Sequence, residues 1–159
     1  MVEFKECVTK EDILSTYAIM KQLRTSLADP DIYANIILKL QTTEKYRLVG
    51  LFEDSVCVGV VGFRPQVTLF RSGEAELYIN DLVVDEAQRG KSFGKELINW
   101  IEAETKRVGA KFITLDSGMQ RHETHVFYEK QGFTATSKHF TRETMSPFST
   151  LPLNVHFLG

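Results

Sequence analysis

The stretch AELYINDLVVDEAQRGKSFGKELINWIEAETKRVGAKFITLDS, residues 75–117, holds a strand, a small-residue turn, a helix and a second strand in that order. Residues 75–85 are rich in β-forming side chains and read as a strand. In 92–109, Leu97, Ile98, Ile101 and Val108 recur at helical spacing, and Gly109 stands where a C-terminal cap glycine belongs. Residues 111–116 form the next strand, so the unit predicts a parallel crossover. Between strand and helix, Gly90, Ser92 and Gly94 put small residues at every second position. Small residues let the backbone approach a ligand closely. A helix start also offers unpaired amides and the positive end of the helix dipole. Arg89, Lys91 and Lys95 add positive charge, so the turn predicts a phosphate or pyrophosphate site.

Two nucleotide motifs can be tested against this turn. A P-loop requires a glycine five residues before its Gly-Lys-Ser, and Asp85 occupies that position before Gly90. A dinucleotide fingerprint requires G-x-G-x-x-G, whereas this turn reads G-x-S-x-G and follows several other elements. Both fail.

Outward from the turn, residues 2–7 form a short strand. Thr9 caps a helix over 10–27 in which Ile13, Leu14, Tyr17, Met20 and Leu23 share a face. Asp29-Pro30-Asp31 ends it and opens another helix. Two β-rich runs separated by Asp54-Ser55 predict a hairpin, with Pro65 marking a bulge or an edge. Residues 123–132 form a short helix ending at Gly132, and 133–143 a last strand; NVHFL in the tail reads as one more strand or a partner-binding arm. The expected fold is α/β (α+β): one domain over 1–159, with a mixed central sheet of about six or seven strands flanked by about four helices. The chain has 159 residues, 43% hydrophobic and 25% charged, enough for one core without a disordered segment. Its net charge of −2 gives no overall basic footprint for nucleic acid. No apolar run is long enough for a membrane span or a signal peptide. Cys7 and Cys57 read as buried free thiols, and the expected compartment is the cytoplasm.

The segment HVFYEKQGF, residues 125–133, changes what the turn means. Together the two segments resemble the GNAT family of N-acetyltransferases, whose cofactor motif is Arg/Gln-x-x-Gly-x-Gly/Ala. Here it reads Arg89-Gly90-Lys91-Ser92-Phe93-Gly94, and the family's second signature is complete as Phe127-Tyr128-Glu129-Lys130-Gln131-Gly132-Phe133. The resemblance runs from about residue 45 to 142. It implies transfer of an acetyl group from acetyl-CoA to a primary amine by direct attack in a ternary complex. The implied cofactor residues are Arg89, Gly90, Lys91, Ser92, Phe93, Gly94 and Lys95 at the pyrophosphate, and Leu82, Val83 and Val84 along the pantetheine. Ser92 departs from the usual middle glycine, and a positive φ there would strain it.

Tyr128 matches the family's general acid for the leaving thiolate. Glu76 is the best base candidate, acting through water, against the reading that it is an exposed carboxylate; Asp81 is second, with a structural role favoured. Strict alternation would put Leu77, Ile79, Asp81 and Val83 on one face and Glu76, Tyr78, Asn80 and Leu82 on the other. His122 and His125 lack a supporting ligand set, so no metal is expected. Asp116 ends a strand beside the presumed cleft. The acceptor class, a small-molecule or peptide amine, stays open, as does homodimer formation. A second reading is a catalytically weak or inactive acyl-CoA-binding regulatory module of the same fold.

Overall fold

The computed structural model describes residues 1–145. Its sheet has five strands in chain order: β1 (Val2–Glu6), β2 (Arg47–Glu53), β3 (Val56–Val67), β4 (Ala75–Val84) and β5 (Phe112–Leu115). Neighbours pair antiparallel from β1 to β4, and β4 pairs parallel with β5. The turn between β2 and β3 is the two-residue Asp54-Ser55, with φ of 49° and 69°, the left-handed pair a tight hairpin needs. Pro65 lies beyond Phe63, where β3's pairing with β2 ends, so its missing N–H breaks no ladder on that side.

Three helices, α1 (Lys10–Leu14), α2 (Tyr17–Leu23) and α3 (Pro30–Thr43), cover one face. They enclose a core of Ile13, Met20, Tyr33, Ile37, Leu48 and Val60. On the other face α4 (Phe93–Arg107) and α5 (His122–Lys130) pack over Leu51, Val61, Phe63, Leu77 and Ile79. Both α4 and α5 end on a left-handed glycine. Gly109 N–H donates to Lys106 O and Ala110 N–H to Thr105 O; Gly132 N–H donates to Glu129 O and Phe133 N–H to Tyr128 O. This is the paired closure that fixes the exit of a helix.

Four expectations need correction. The helix over 10–27 is two helices, because Ser15 and Thr16 hydroxyls donate back to Asp12 O and Ile13 O while Thr16 also bonds Tyr33 at 2.8 Å. Such side chain-to-backbone bonds compete with helix continuation. The described sheet has five strands, not six or seven, and five α-helices flank it, not four. Residues 133–143 form no strand. That segment alternates in β-propensity but is exposed almost throughout, Phe140 included, so it has no apolar face to bury. NVHFL lies outside the described residues.

The alternation of β4 also breaks. Asp81 pairs with Gly62 but Ile79 pairs with Phe63, which leaves Asn80 as an extra residue: a β-bulge. Beyond it the faces exchange. Leu77, Ile79, Leu82 and Val84 lie with α4, while Val83 joins the α1–α3 core and Asp81 points to Tyr46 of that core.

Candidate active site

The bulge at Asn80 sits where the sheet opens. The parallel ladder between β4 and β5 ends at Ile79↔Leu115, yet β4 runs on to Val84. Asp85 N–H donates to Val58 O at 2.8 Å on the β3 side. Successive residues of a strand turn their polar groups to opposite edges, so those of Leu82 and Val84 face the side that β5 has left. Those of Val83 face β3.

The turn that follows is held from a distance. Asp85 accepts from Ala87 N–H and from Gln22 Nε2 at 3.1 Å, and Gln22 Oε1 accepts from Glu86 N–H at 2.9 Å. Gln22, at the end of α2, thus fixes the exit of β4. Gly90 has φ of 88° and Ser92 of 66°, so the chain is left-handed at both small positions before it enters α4. Arg89, Lys91 and Lys95 are exposed, whereas the Phe93 side chain is buried under α4. The first amides of α4 have no intrahelical acceptor. A left-handed turn, unpaired amides and three cations fit a bound pyrophosphate, and the open edge at Leu82 and Val84 fits an extended amide-bearing arm.

Tyr128 lines a cavity of about 290 Å³ together with Asn80, Leu82, Leu115, Asp116 and Arg121. Its ring packs on Phe133, 5.6 Å between centroids. Burial raises the Tyr128 phenol above its ordinary value, opposed in part by the charge of Arg121, so the group is protonated at neutral pH.

A second cavity, of about 300 Å³, lies on the α1–α3 side and shares Arg24 and Asn80 with the first. Its wall includes Tyr46, Arg64, Tyr78 and Asp81. Asp81 accepts from Arg24 Nε and from Tyr46 Oη, each at 2.8 Å, and Arg24 Nη2 donates to Asn80 O at 2.9 Å. Tyr46 reaches Asp81 across Gly62, where a Cβ would stand 1.7 Å from the Tyr46 hydroxyl. Tyr78 donates to Asp116 across the ends of β4 and β5. That bond, with burial, pushes Tyr78 up to about 12; burial is the larger cause.

The structure therefore brings Tyr128 and Leu82 to one cavity, with Val84 further along the same open edge and Val83 turned to β3 instead. It does not bring Glu76 there. Glu76 is 5% exposed, accepts from Gln66 Nε2 at 2.7 Å, lies 3.9 Å from Arg71, and lines neither cavity. Nor is it the exposed carboxylate of the competing reading. Asp81 is held between Arg24 and Tyr46 on the wall of the other cavity. Arg24, Tyr46, Arg64, Tyr78 and Asn80 line these cavities and were not singled out as candidates from the sequence. Their partners lie 20 to 57 positions away where bonded, as in Arg24–Asp81 and Arg64–Glu44. One local signal existed: the strand's apolar residues are spaced by two at Leu77 and Ile79 and by three at Ile79 and Leu82, which marks a bulge. Among the described residues no group of three His, Cys, Asp or Glu could hold a metal, and no helix is long and apolar enough to cross a membrane.

Comparison with known proteins accounts for the cleft. Residues 13–133 match the model of the Acetyltransferase (GNAT) family. The chain is 34% identical over 143 residues to the uncharacterized N-acetyltransferase YhdJ of Bacillus subtilis, covering 89% of this chain and 99% of that one. It is 29% identical over 142 residues to an aminoalkylphosphonate N-acetyltransferase of Salmonella typhimurium, covering 84% and 86%. A solved structure of a transcriptional regulator from Bacillus halodurans superposes with a TM-score of 0.79 at 20% identity, covering 91% of this chain and all of that one, and shares the fold alone. With Gly94 of one motif packed on Phe127 of the other and a match across most of its length, the chain belongs to the GNAT family, the acetyl-CoA-dependent N-acyltransferases.

Proposed function

We propose that the protein acetylates the primary amine of a small acceptor by direct attack, with Tyr128 as general acid. The observation that carries this reading is the convergence of Tyr128 with the freed edge of β4 at one cavity. Acetyl-CoA, a substrate, supplies the acetyl group as a thioester. Amides of the Arg89–Lys95 turn and the three cations beside them hold its pyrophosphate. Leu82 and Val84 offer backbone groups to the pantetheine amides and one N–H to the thioester oxygen.

The acceptor nitrogen attacks the carbonyl carbon, a C–N bond forms and the C–S bond breaks. Tyr128 gives its phenolic proton to the departing sulfur and regains one from solvent. The amine loses a proton to Asp116, directly or through water; Asp116 is the carboxylate that lines the same cavity as Tyr128. The products are an N-acetyl amide and free CoA thiol. The name of the Salmonella relative, an aminoalkylphosphonate N-acetyltransferase, supports a small amine as acceptor.

Calorimetric titration with CoA, followed by thiol release from acetyl-CoA across a panel of amines, tests the reading. Binding at micromolar to sub-millimolar CoA with amine-dependent release is expected. Binding without release to any amine would favour a regulatory acyl-CoA sensor, and no binding would remove the whole assignment.

A further inference from the structure

Two residues lining the cavity on the α1–α3 side, Arg64 and Asn80, each carry a buried polar atom, and the two atoms have opposite needs. Arg64 Nε is buried with no acceptor, and Arg64 Nη1 has only a long bond, 3.3 Å, to the half-exposed carboxylate of Glu44. Asn80 Oδ1 is buried with no donor. Buried polar groups normally find partners, and an orphan of either kind costs free energy that a ligand can recover. The neighbouring charges are already matched: Asp81 is taken by Arg24 and Tyr46. What the cavity lacks is a hydrogen-bond donor at Asn80 and an oxyanion at Arg64.

We infer that the acceptor is a short amine bearing an oxyanion group, a phosphonate or a carboxylate, with the anion held by Arg64 and the amine at Asn80. This rests on the acetyl-transfer reading above and narrows its substrate. Asn80 suits the amine because it lines both cavities, so a nitrogen there faces the cleft of Tyr128. Arg64 pairs with Tyr78, two residues before Asn80 along β4, and its guanidinium lies over the Tyr78 ring at 5.8 Å. At about 3.3 Å per residue the two subsites are some 7 Å apart along the strand, the reach of a spacer of two or three carbons. The two carboxylates of the same wall, Glu44 and Asp81, are each already paired with an arginine and so offer a polyamine no free partner. In the transfer step the acceptor's C–N bond forms as the thioester C–S bond breaks, the sulfur takes the Tyr128 proton and the amine releases one.

The test has two arms. In the first, thiol release from acetyl-CoA is measured with 2-aminoethylphosphonate, 3-aminopropionate, ethanolamine and spermidine. The better anionic amine is expected to exceed ethanolamine and spermidine in kcat/KM by roughly 10- to 100-fold, the worth of a charge-assisted hydrogen bond. Arg64→Gln should cut that ratio about tenfold through KM of the anionic amines, and Arg64→Lys should restore part of it. Equal turnover of neutral or cationic amines, or an unchanged ratio in Arg64→Gln, would overturn the inference while leaving acetyl transfer standing. The phosphonate and carboxylate members distinguish the two oxyanions. In the second arm, calorimetry measures 2-aminoethylphosphonate and 3-aminopropionate binding to the CoA complex. Binding that weakens about tenfold in Arg64→Gln is expected even if turnover is slow. Failure of both to bind the CoA complex would overturn the inference, and failure of CoA itself to bind would overturn the acetyl-transfer reading beneath it.

Discussion

Gly94 lies directly against the ring of Phe127: a Cβ at residue 94 would stand 3.0 Å from Phe127 Cζ and 3.2 Å from Cε1. The last small residue of the turn is thus the contact that lets α4 and α5 close together, and it joins the two sequence motifs in space. Gly90 does different work. Its φ is 88° and a Cβ there would meet nothing within 4 Å, so conformation and not space demands glycine.

Gly94→Ala should therefore act as overpacking. The added methyl must push the Phe127 ring, at a cost of about 1–3 kcal/mol. A lowered melting temperature and CoA affinity weakened several-fold are expected. Phe127→Leu in the same chain should recover much of both. If Gly94→Ala binds CoA normally while the double variant is no more stable than the single one, the contact is not what positions the turn.

Ser92 holds φ of 66° at the N-cap of α4 and its side chain makes no capping bond there. A left-handed conformation costs an L-residue about 1–2 kcal/mol, part of which glycine regains against its greater freedom in the unfolded chain. Ser92→Gly should raise the melting temperature by about 2–4 °C and keep CoA affinity. A loss of affinity with a gain in stability would show that the hydroxyl contacts the phosphates.

Tyr128→Phe removes one oxygen and preserves the packing on Phe133. If the phenol protonates the leaving sulfur, kcat should fall by roughly 10²-fold, within the usual worth of a positioned acid, with CoA affinity nearly unchanged. Burial holds the phenol above its ordinary value, so the alkaline limb of the wild-type profile should lie above that of an exposed tyrosine and vanish in the variant. Equal losses of turnover and CoA affinity would make the residue structural.

The turn, the crossover and Tyr128 were legible because each is local: glycine positions, a helical stripe and a short motif lie within one segment. The surroundings of Glu76 were not. Counting alternate residues along β4 treats the strand as regular, and the bulge at Asn80 exchanges its faces just where the site begins. Glu76 lies before that bulge, against Gln66 and Arg71, so its distance from Tyr128's cavity depends on where β5 leaves β4. The final strand misled in the opposite way, since residues 133–143 have the propensity of a strand without the apolar face that would hold one. The Arg24–Asp81–Tyr46 set joins the residue that caps α2, a residue of β4 and the residue just before β2, and no local pattern announces it.

Far from the cleft, Glu104 of α4 is bonded by Arg107 and by Arg47 of β2, and Arg47 also bonds Glu6 of β1. It ties the helix to the sheet edge. The Arg107 hydrogen bond, followed by burial in opposition and then Arg47, holds the Glu104 carboxyl at about 2, against 4.5 ordinarily. A depressed carboxyl stabilises the fold above its unfolded value, and the contribution fades as pH falls from about 5 towards 2. Glu104→Gln should lose on the order of 2 kcal/mol at pH 7, because two arginines lose their carboxylate. Its stability should then change less than wild type's between pH 5 and pH 2. Denaturant midpoints at pH 7, 4 and 2.5 check this. Two curves that fall in parallel would mean the acid sensitivity arises at another carboxylate.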